Sequence, residues 1–289
     1  MQTEPKPGFV RHDFAGLSEL VDWIEKTPRS IPNKRNWSST SGLNRAPDWD
    51  FDLGYKGSLK LVQTGWADGA KKIEKLRNEQ VGEIAATWES VTASDWVADV
   101  VGEELDLGKY LEGDPECYLD DLETDEVQYP VLDVWFKGGG TCNVTAEDLF
   151  AQGVALLAAV EKIEAKGIRV KLTAWFLSES AGRYHAATVV IKRPEDTLQL
   201  PALAFGIAHP AFFRRLVFAL RERQGLDQTR AFCEGFGSYG RTVHGDLYHK
   251  FPGLMPKNAV CIAPDLGDSI EVAYGKIVQT LERKLAPAA

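Results

Sequence analysis

Apolar side chains recur along this chain with two spacings, and each change of spacing predicts a new element. Leu17, Leu20, Val21 and Ile24 fall on one helical face and stop before Pro28, which predicts a short first helix. Met1 to Gly8, ahead of it, is polar and proline-bearing and reads as a loose tail. Arg29 to Asp52 holds no period and is rich in Ser, Asn, Pro and Trp, a long irregular segment of the kind that is either functional or disordered. Helical spacing returns from Ser58 to Gln80 through Leu59, Val62, Trp66, Ile73 and Leu76, weakened in the middle by Gly65 and Gly69. Glu83 to Val91 reads as helical, Trp96 to Val101 as a short strand, and Lys109 to Asp125 as a turn-rich loop.

The second half alternates more clearly. Val131 to Phe136 is a short apolar strand, followed by three glycines and then a helix whose start is marked by Thr145 with Asp148 three positions on. Leu149, Gly153, Leu156, Val160 and Ile163 line that helix, and Gly167 closes it. Ile168 to Leu177 and Tyr184 to Lys192 read as strands, Leu203 to Ala208 and Ala211 to Gln224 as helices. Ala259 to Ala263 is a last strand before a helix carrying Ile270, Ala273, Ile277, Leu281 and Leu285. Strand, long crossover helix and strand imply a parallel pair. The expected class is α/β: a mixed, partly parallel sheet flanked by helices in three tiers, a von Willebrand A-like or Rossmann-like layer. The chain divides, on this reading, into a helical and irregular region over 1–126 and an α/β domain over 127–289.

Charge changes the picture more than composition does. The 289 residues are 44% hydrophobic and 26% charged, ordinary values that exclude collagen, a coiled-coil rod and wholesale disorder. Lys26 to Arg77 holds eleven Lys/Arg against five Asp/Glu, Glu79 to Glu126 sixteen acids against Lys109 alone, and Lys162 to Lys257 fifteen bases against eight acids. Two basic regions therefore flank an acidic middle, so the formal net charge of −9 does not exclude a local polyanion site. The basic regions read either as solvated surface or as two parts of such a site. Cys117, Cys142, Cys233 and Cys261 lie far apart with no C-x-x-C spacing, so neither a disulfide framework nor a zinc knuckle is expected, and a reducing cytoplasm is the natural setting. Neither a targeting segment nor a spanning helix is expected, since His209, Pro210, Arg214 and Arg215 interrupt the most apolar stretch, Ala202 to Leu220.

Motifs for small-molecule chemistry are weak. Gly138, Gly139 and Gly140 sit between strand and helix as phosphate loops do, but Asn143 stands at the third-glycine place of the dinucleotide fingerprint and Glu147 and Asp148 would repel phosphate. A tight connection is the simpler reading. Asp133 falls where von Willebrand A domains begin an Asp-x-Ser-x-Ser metal loop, yet Val134, Trp135, Phe136 and Lys137 follow it, so no metal is expected there. His244, Asp246 and His249 lie within six residues and suit a zinc-like ion, but no fourth ligand or general base follows from spacing. With no nucleophile elbow, the expectation is a protein without catalysis, metal or cofactor.

Cations interleaved with flat rings are better represented. Arg29, Lys34, Arg35, Trp37, Arg45 and Trp49 offer phosphate partners and stacking surfaces within one irregular segment, the combination that single-stranded nucleic acid needs. Arg214, Phe218 and Arg221 recur at i, i+4 and i+7 beside Arg215, a second candidate surface, with Phe213, Leu216, Val217 and Leu220 as the core face. The competing reading makes the rings core residues and the arginines solvated.

The runs Asn36-Trp37-Ser38-Ser39, Gly65-Trp66-Ala67-Asp68-Gly69, Leu111-Glu112-Gly113-Asp114-Pro115-Glu116-Cys117 and Ala208 through Leu216 resemble an uncharacterised family of tailed-phage and prophage proteins, over nearly the whole chain. More distantly they are similar to the single-stranded-DNA-binding cofactors that recruit a phage RNA polymerase in podoviruses that package a virion polymerase. The resemblance implies an early protein of the host cytoplasm, without catalysis, whose partners are single-stranded DNA and a phage RNA polymerase and whose fold is unlike an OB barrel. Homo-oligomerisation is left open. The other classes kept open by the residues are a metal-free, von Willebrand A-shaped interaction scaffold and a hydrolase using His244, Asp246 and His249.

Overall fold

The computed structural model describes residues 8–30, 39–40, 47–80, 96–99, 104–105, 107–112, 118–121, 130–139, 144–233, 241–242, 251, 254–263 and 267–285. They fall into two compact units, one made of Met1–Ile84 with Val131–Ala289 and a smaller one of Ala85–Pro130.

In chain order the larger unit opens with β1 (Phe9–Phe14), α1 (Leu17–Lys26), a short turn of helix α2 (Pro47–Asp50), α3 (Gly54–Thr64) and α4 (Ala67–Gln80). The single helix expected over 58–80 is two, because Gly65 adopts φ +70, and a β-carbon there would fall 2.8 Å from the Pro201 backbone. The smaller unit holds β2 (Trp96–Asp99), β3 (Glu104–Leu105), α5 (Leu107–Glu112) and β4 (Tyr118–Asp121), with β4 between β2 and β3 in an antiparallel sheet. The acidic stretch expected to be all loop from 109 onward thus contains part of a helix and a strand. Fourteen acids and the single base Lys109 lie in 85–130, so this unit alone accounts for the negative net charge.

The chain returns through β5 (Val131–Lys137), α6 (Ala146–Glu164), β6 (Arg169–Ser180), β7 (Arg183–Lys192) and α7 (Leu200–Ala208). A π-helical stretch, Phe212–Val217, runs on into α8 (Phe218–Arg221), and α9 (Leu226–Cys233), β8 (Arg241–Thr242), β9 (Val260–Ile262) and α10 (Ile270–Leu285) complete the order. The sheet runs β1-β7-β6-β5-β9, with β8 added against β6. β5 is parallel to both β6 and β9, β1 is parallel to β7, and only β6 with β7 and β8 are antiparallel. This is a mixed sheet with mostly parallel strands, where the spacing predicts a mixed, partly parallel α/β sheet.

The start of α6 is the capping box read from sequence: Asp148 N–H donates to Thr145 Oγ1 at 3.0 Å and Thr145 N–H to Asp148 Oδ2 at 2.9 Å. One face of the sheet, with Leu132, Val134, Phe136, Leu172, Ala174, Phe176 and Val189, packs against α1, α6, α7, the Phe212–Arg221 helix and α10 in one large core. The opposite face carries a smaller cluster of Trp135, Trp175, Leu177, Ala186 and Leu254. The expected division at 126/127 is corrected by β1: residues 9–14 lie in register with Tyr184–Val189, so the N-terminal region belongs to the same unit as the sheet it completes. Among the described residues no single helix is long and apolar enough to cross a membrane, and the bent pair Leu200–Ala208 and Phe212–Arg221 lies mostly in the core.

Candidate nucleic-acid interface

The two sets of basic and aromatic residues expected to make a first and a second contact surface stand differently. From Ala211 to Glu222 every residue is buried. Arg214, Arg215, Phe218 and Arg221 are 3%, 1%, 8% and 1% exposed, which removes them as a DNA-contacting face. The physical reason is that this helix is covered on both sides: by the sheet through Phe176, and by the segment around Trp49 and Asp50 and by α9. The i, i+4, i+7 pattern assumes a solvent side that the helix does not have.

The arginines are occupied within the fold. Arg214 donates to the carbonyls of Trp49, at 2.7 Å, and Val144, and its guanidinium lies 4.4 Å from the Trp49 ring centroid. Burial pulls the Arg214 pKa down to about 10, opposed by Asp50 and Asp148, so it stays cationic at neutral pH. Arg215 Nε donates to Asp50 Oδ2 at 2.6 Å and its Nη1 to the Ser39 carbonyl at 3.0 Å. Arg221 donates to Ser178 Oγ and sits 5.5 Å from the rings of Phe213 and Phe218. Trp49, expected to stack on bases, stacks on Arg214 instead and tilts against Phe218 at 6.2 Å.

Their joint effect is to hold the ends of the irregular basic segment. Glu222, 3% exposed, is the hub: its carboxylate accepts the Ser39 N–H and Oγ–H, each at 2.7 Å, and Arg29 through Nε at 3.0 Å and through Nη2. Ser30 N–H donates to the Glu222 carbonyl at 3.1 Å, and Ser30 Oγ–H to the Gln224 carbonyl. Residues 31–38 therefore begin and end on the same glutamate. Asp50, fixed by Arg215, also accepts the Gly54 N–H at 3.0 Å, which starts α3. Lys34, Arg35, Trp37 and Arg45 themselves lie outside the described residues, as do His244, Asp246 and His249. Arg29, expected to contact nucleic acid, is a partner of Glu222 and of Thr40 Oγ1 at 3.3 Å.

Sequence reasoning missed Glu222, Ser39 and Asp50. One signal was available: Glu222 is the only acid between Asp196 and Asp227, on an apolar helix with four arginines, where burial demands cation partners. Two lysines on the described surface were also left out, Lys56 and Lys60, exposed one turn apart on α3.

Gly138 and Gly139 are explained by packing. A β-carbon on Gly138 would fall 2.4 Å from the Phe176 ring and one on Gly139 2.9 Å from the Phe213 ring, while the Gly138 N–H already donates to the Trp175 carbonyl at 3.0 Å. Beneath it a cavity of about 20 Å³, lined by Phe136, Lys137, Gly138, Gln152 and His209 among others, has room for about one water. His209 is neutral there, its pKa brought to about 3 by burial, and its Nδ1 accepts the Ala211 N–H at 3.1 Å. Asp133 accepts the Trp135 indole N–H at 2.9 Å and faces Lys171 at 4.0 Å. Among the described residues no group of three or more His, Cys, Asp or Glu could hold a metal ion, and Cys233 and Cys261 are free thiols.

The family described as Domain of unknown function (DUF7192) matches residues 3–285. No curated protein and no solved structure matches the chain.

Proposed function

The chain belongs to the DUF7192 family, whose description assigns no activity, and on its residues we propose that it binds single-stranded DNA without catalysis, through Lys34, Arg35, Trp37 and Arg45. The observation that supports this is the strapping of the segment's ends: buried hydrogen bonds and ion pairs at Arg29–Ser30, Ser39–Thr40 and Trp49–Asp50 tie both intervening stretches to one helix. Such closure brings cations 34, 35 and 45 and the indole of Trp37 onto short tethers, limiting the entropy lost when they engage a strand. Lys56 and Lys60 take the place of the buried arginines as further phosphate contacts, on a helix that starts four residues after Asp50. The acidic unit over 85–130 repels duplex DNA or receives a basic partner surface, and a phage RNA polymerase in the host cytoplasm is the partner that the family resemblance offers.

Binding of single-stranded oligonucleotides measured against salt tests this. Each alanine at Lys34, Arg35 or Arg45 lowers the log-log salt slope by about 0.7. Trp37→Ala costs roughly 1–3 kcal/mol of binding through lost stacking while the slope stays near the parent's. A folded quadruple variant at 34, 35, 37 and 45 that binds as tightly as the parent across the salt series shows the site to be elsewhere.

A further inference from the structure

We propose that the outer strand β1 is an acid-released latch: when His12 and His185 take up protons at its seam with β7, residues 9–13 leave the sheet while α1 stays docked. This goes beyond the DNA reading and does not depend on it. Among the described residues β1 ends the sheet order and pairs with β7 in parallel, with Val10 beside His185 and His12 beside Ala187. His12 and His185 point to the same, helix-covered face from adjacent strands, and their rings lie 5.6 Å apart. The strand is lightly seated: from Phe9 to Asp13 each residue is half-buried or exposed, and Phe14 is the first that is buried. α1, which follows, is fixed by Leu20 and Ile24, both wholly buried, so the chain can part from β7 up to Phe14 without drawing the helix out of the core.

The seam is built against positive charge. His185 is wholly buried, and neither of its ring nitrogens has a hydrogen-bond partner; nor has Nδ1 of His12. The helices packed on the two rings bring one charge to them, the Arg221 guanidinium of α8, which repels a proton on His185. α1 brings the Trp23 ring, 5.0 Å from His12, α9 brings Phe232, 6.1 Å from His185, and β6 places Ser178 opposite His185. Within β1, Asp13 favours a proton on His12, but it faces the other side of the sheet, where Thr188 and Arg11 hold it. Burial first, and Arg221 second for His185, keep both rings neutral in the closed form, with pKa values below the ordinary one. Once residues 9–13 part from β7, His12 regains water and titrates near pH 6.5, so acid draws the equilibrium toward the open form. The neighbouring strands β5, β6 and β9 carry no histidine, so the response is concentrated at this one seam.

Amide hydrogen exchange of the intact chain, followed residue by residue by NMR and corrected for the intrinsic rate at each pH, tests the latch. The opening constant of the β1 amides should rise about tenfold between pH 6.5 and pH 5.0, the effect of one ring that titrates only when open. Over the same range it should stay well above the opening constants of Val134 in β5 and Leu172 in β6, which report unfolding of the sheet. Opening constants for β1 that do not change with pH overturn the proposal. So do β1 amides already unprotected at pH 6.5, or ones that open no more readily than Val134 and Leu172 at every pH, since the strand then leaves only with the whole fold. The double variant His12→Phe, His185→Phe keeps two flat rings at the seam and removes their protons, and its β1 opening constant should be flat over this range. A rise equal to the parent's overturns the assignment to these two rings, and if the variant fails to fold the comparison of strands in the natural chain decides.

Discussion

Two stretches of this chain carry the same chemistry, arginine interleaved with aromatic rings, and the fold buries one of them. On the Phe212–Arg221 helix the guanidiniums are buried against Asp50, Trp49, Ser178 and backbone carbonyls. Over 29–49 the ends are fixed, and the fixing is done by the first stretch. Identical residue types therefore serve as anchor in one place and as the proposed contact in the other. Composition alone therefore does not tell an anchor from a contact; the cover on both sides of the helix is what makes its arginines anchors.

The sharpest way to break this contrast is Arg215→Ala. Removing the partner of a fully buried carboxylate should cost about 3–5 kcal/mol in urea unfolding. A loss under about 1 kcal/mol would describe a surface arginine and would return the helix to the list of DNA contacts.

Next in size is the response to acid, which belongs to the helix side alone, since residues 29–50 contain no histidine. His185, wholly buried beside Arg221 and His12, is held well below its ordinary pKa by burial first and by those neighbours second. Burial lowers His209 to about 3, and also lowers His12. The unfolded chain takes protons at these groups near pH 6.5 while the folded chain resists, so stability is full above pH 6.5 and falls as the pH drops toward the folded values. His209 contributes a slope that approaches about 1.4 kcal/mol per pH unit below pH 6, and His185 adds to it with the same sign. Denaturation midpoints that stay flat between pH 6.5 and 4.5 would mean that these rings are solvated.

Gly139→Ala tests the packing of the helix against the sheet. Its β-carbon must displace the Phe213 ring, which is stacked on Phe176 with centroids 5.6 Å apart, at about 1–3 kcal/mol. An unchanged melting temperature would show the loop to be roomier than the rings allow. The smallest effect is expected in the other stretch: Lys34→Ala should leave stability within about 0.5 kcal/mol while lowering the salt slope of DNA binding. Destabilisation beyond that would make Lys34 a strap like Arg29.

Much of the fold was legible because local rules fixed it. Thr145 and Asp148 mark the start of α6 to the residue, and the apolar run 131–136 and the paired strands after Gly167 fall where their spacing puts them. β1 was not legible. Its six residues alternate weakly between Phe9, Arg11, Asp13 and Val10, His12, Phe14, and their partner strand lies about 175 positions along the chain, as Phe9 with Tyr184 shows. Tyr118–Asp121 was hidden for a different reason: acidic residues suppress the strand signal, and pairing with Trp96–Asp99 and Glu104–Leu105 reveals it. Of the candidate site, the irregular segment was found by composition. The burial of Arg214, Arg215 and Arg221 could not be, because periodicity reports that one face is apolar and says nothing about what covers the other.

Glu222 has a consequence for how the sequence can change. Since Ser30 and Ser39 both end on it, the path between them is closed at its base, and doubling the number of intervening residues raises the closure entropy by only about 0.6 kcal/mol. Insertions, deletions and exchanged side chains over 31–38 should then pass without disturbing the sheet. Descendants of this sequence can rewrite those eight residues while keeping one carboxylate.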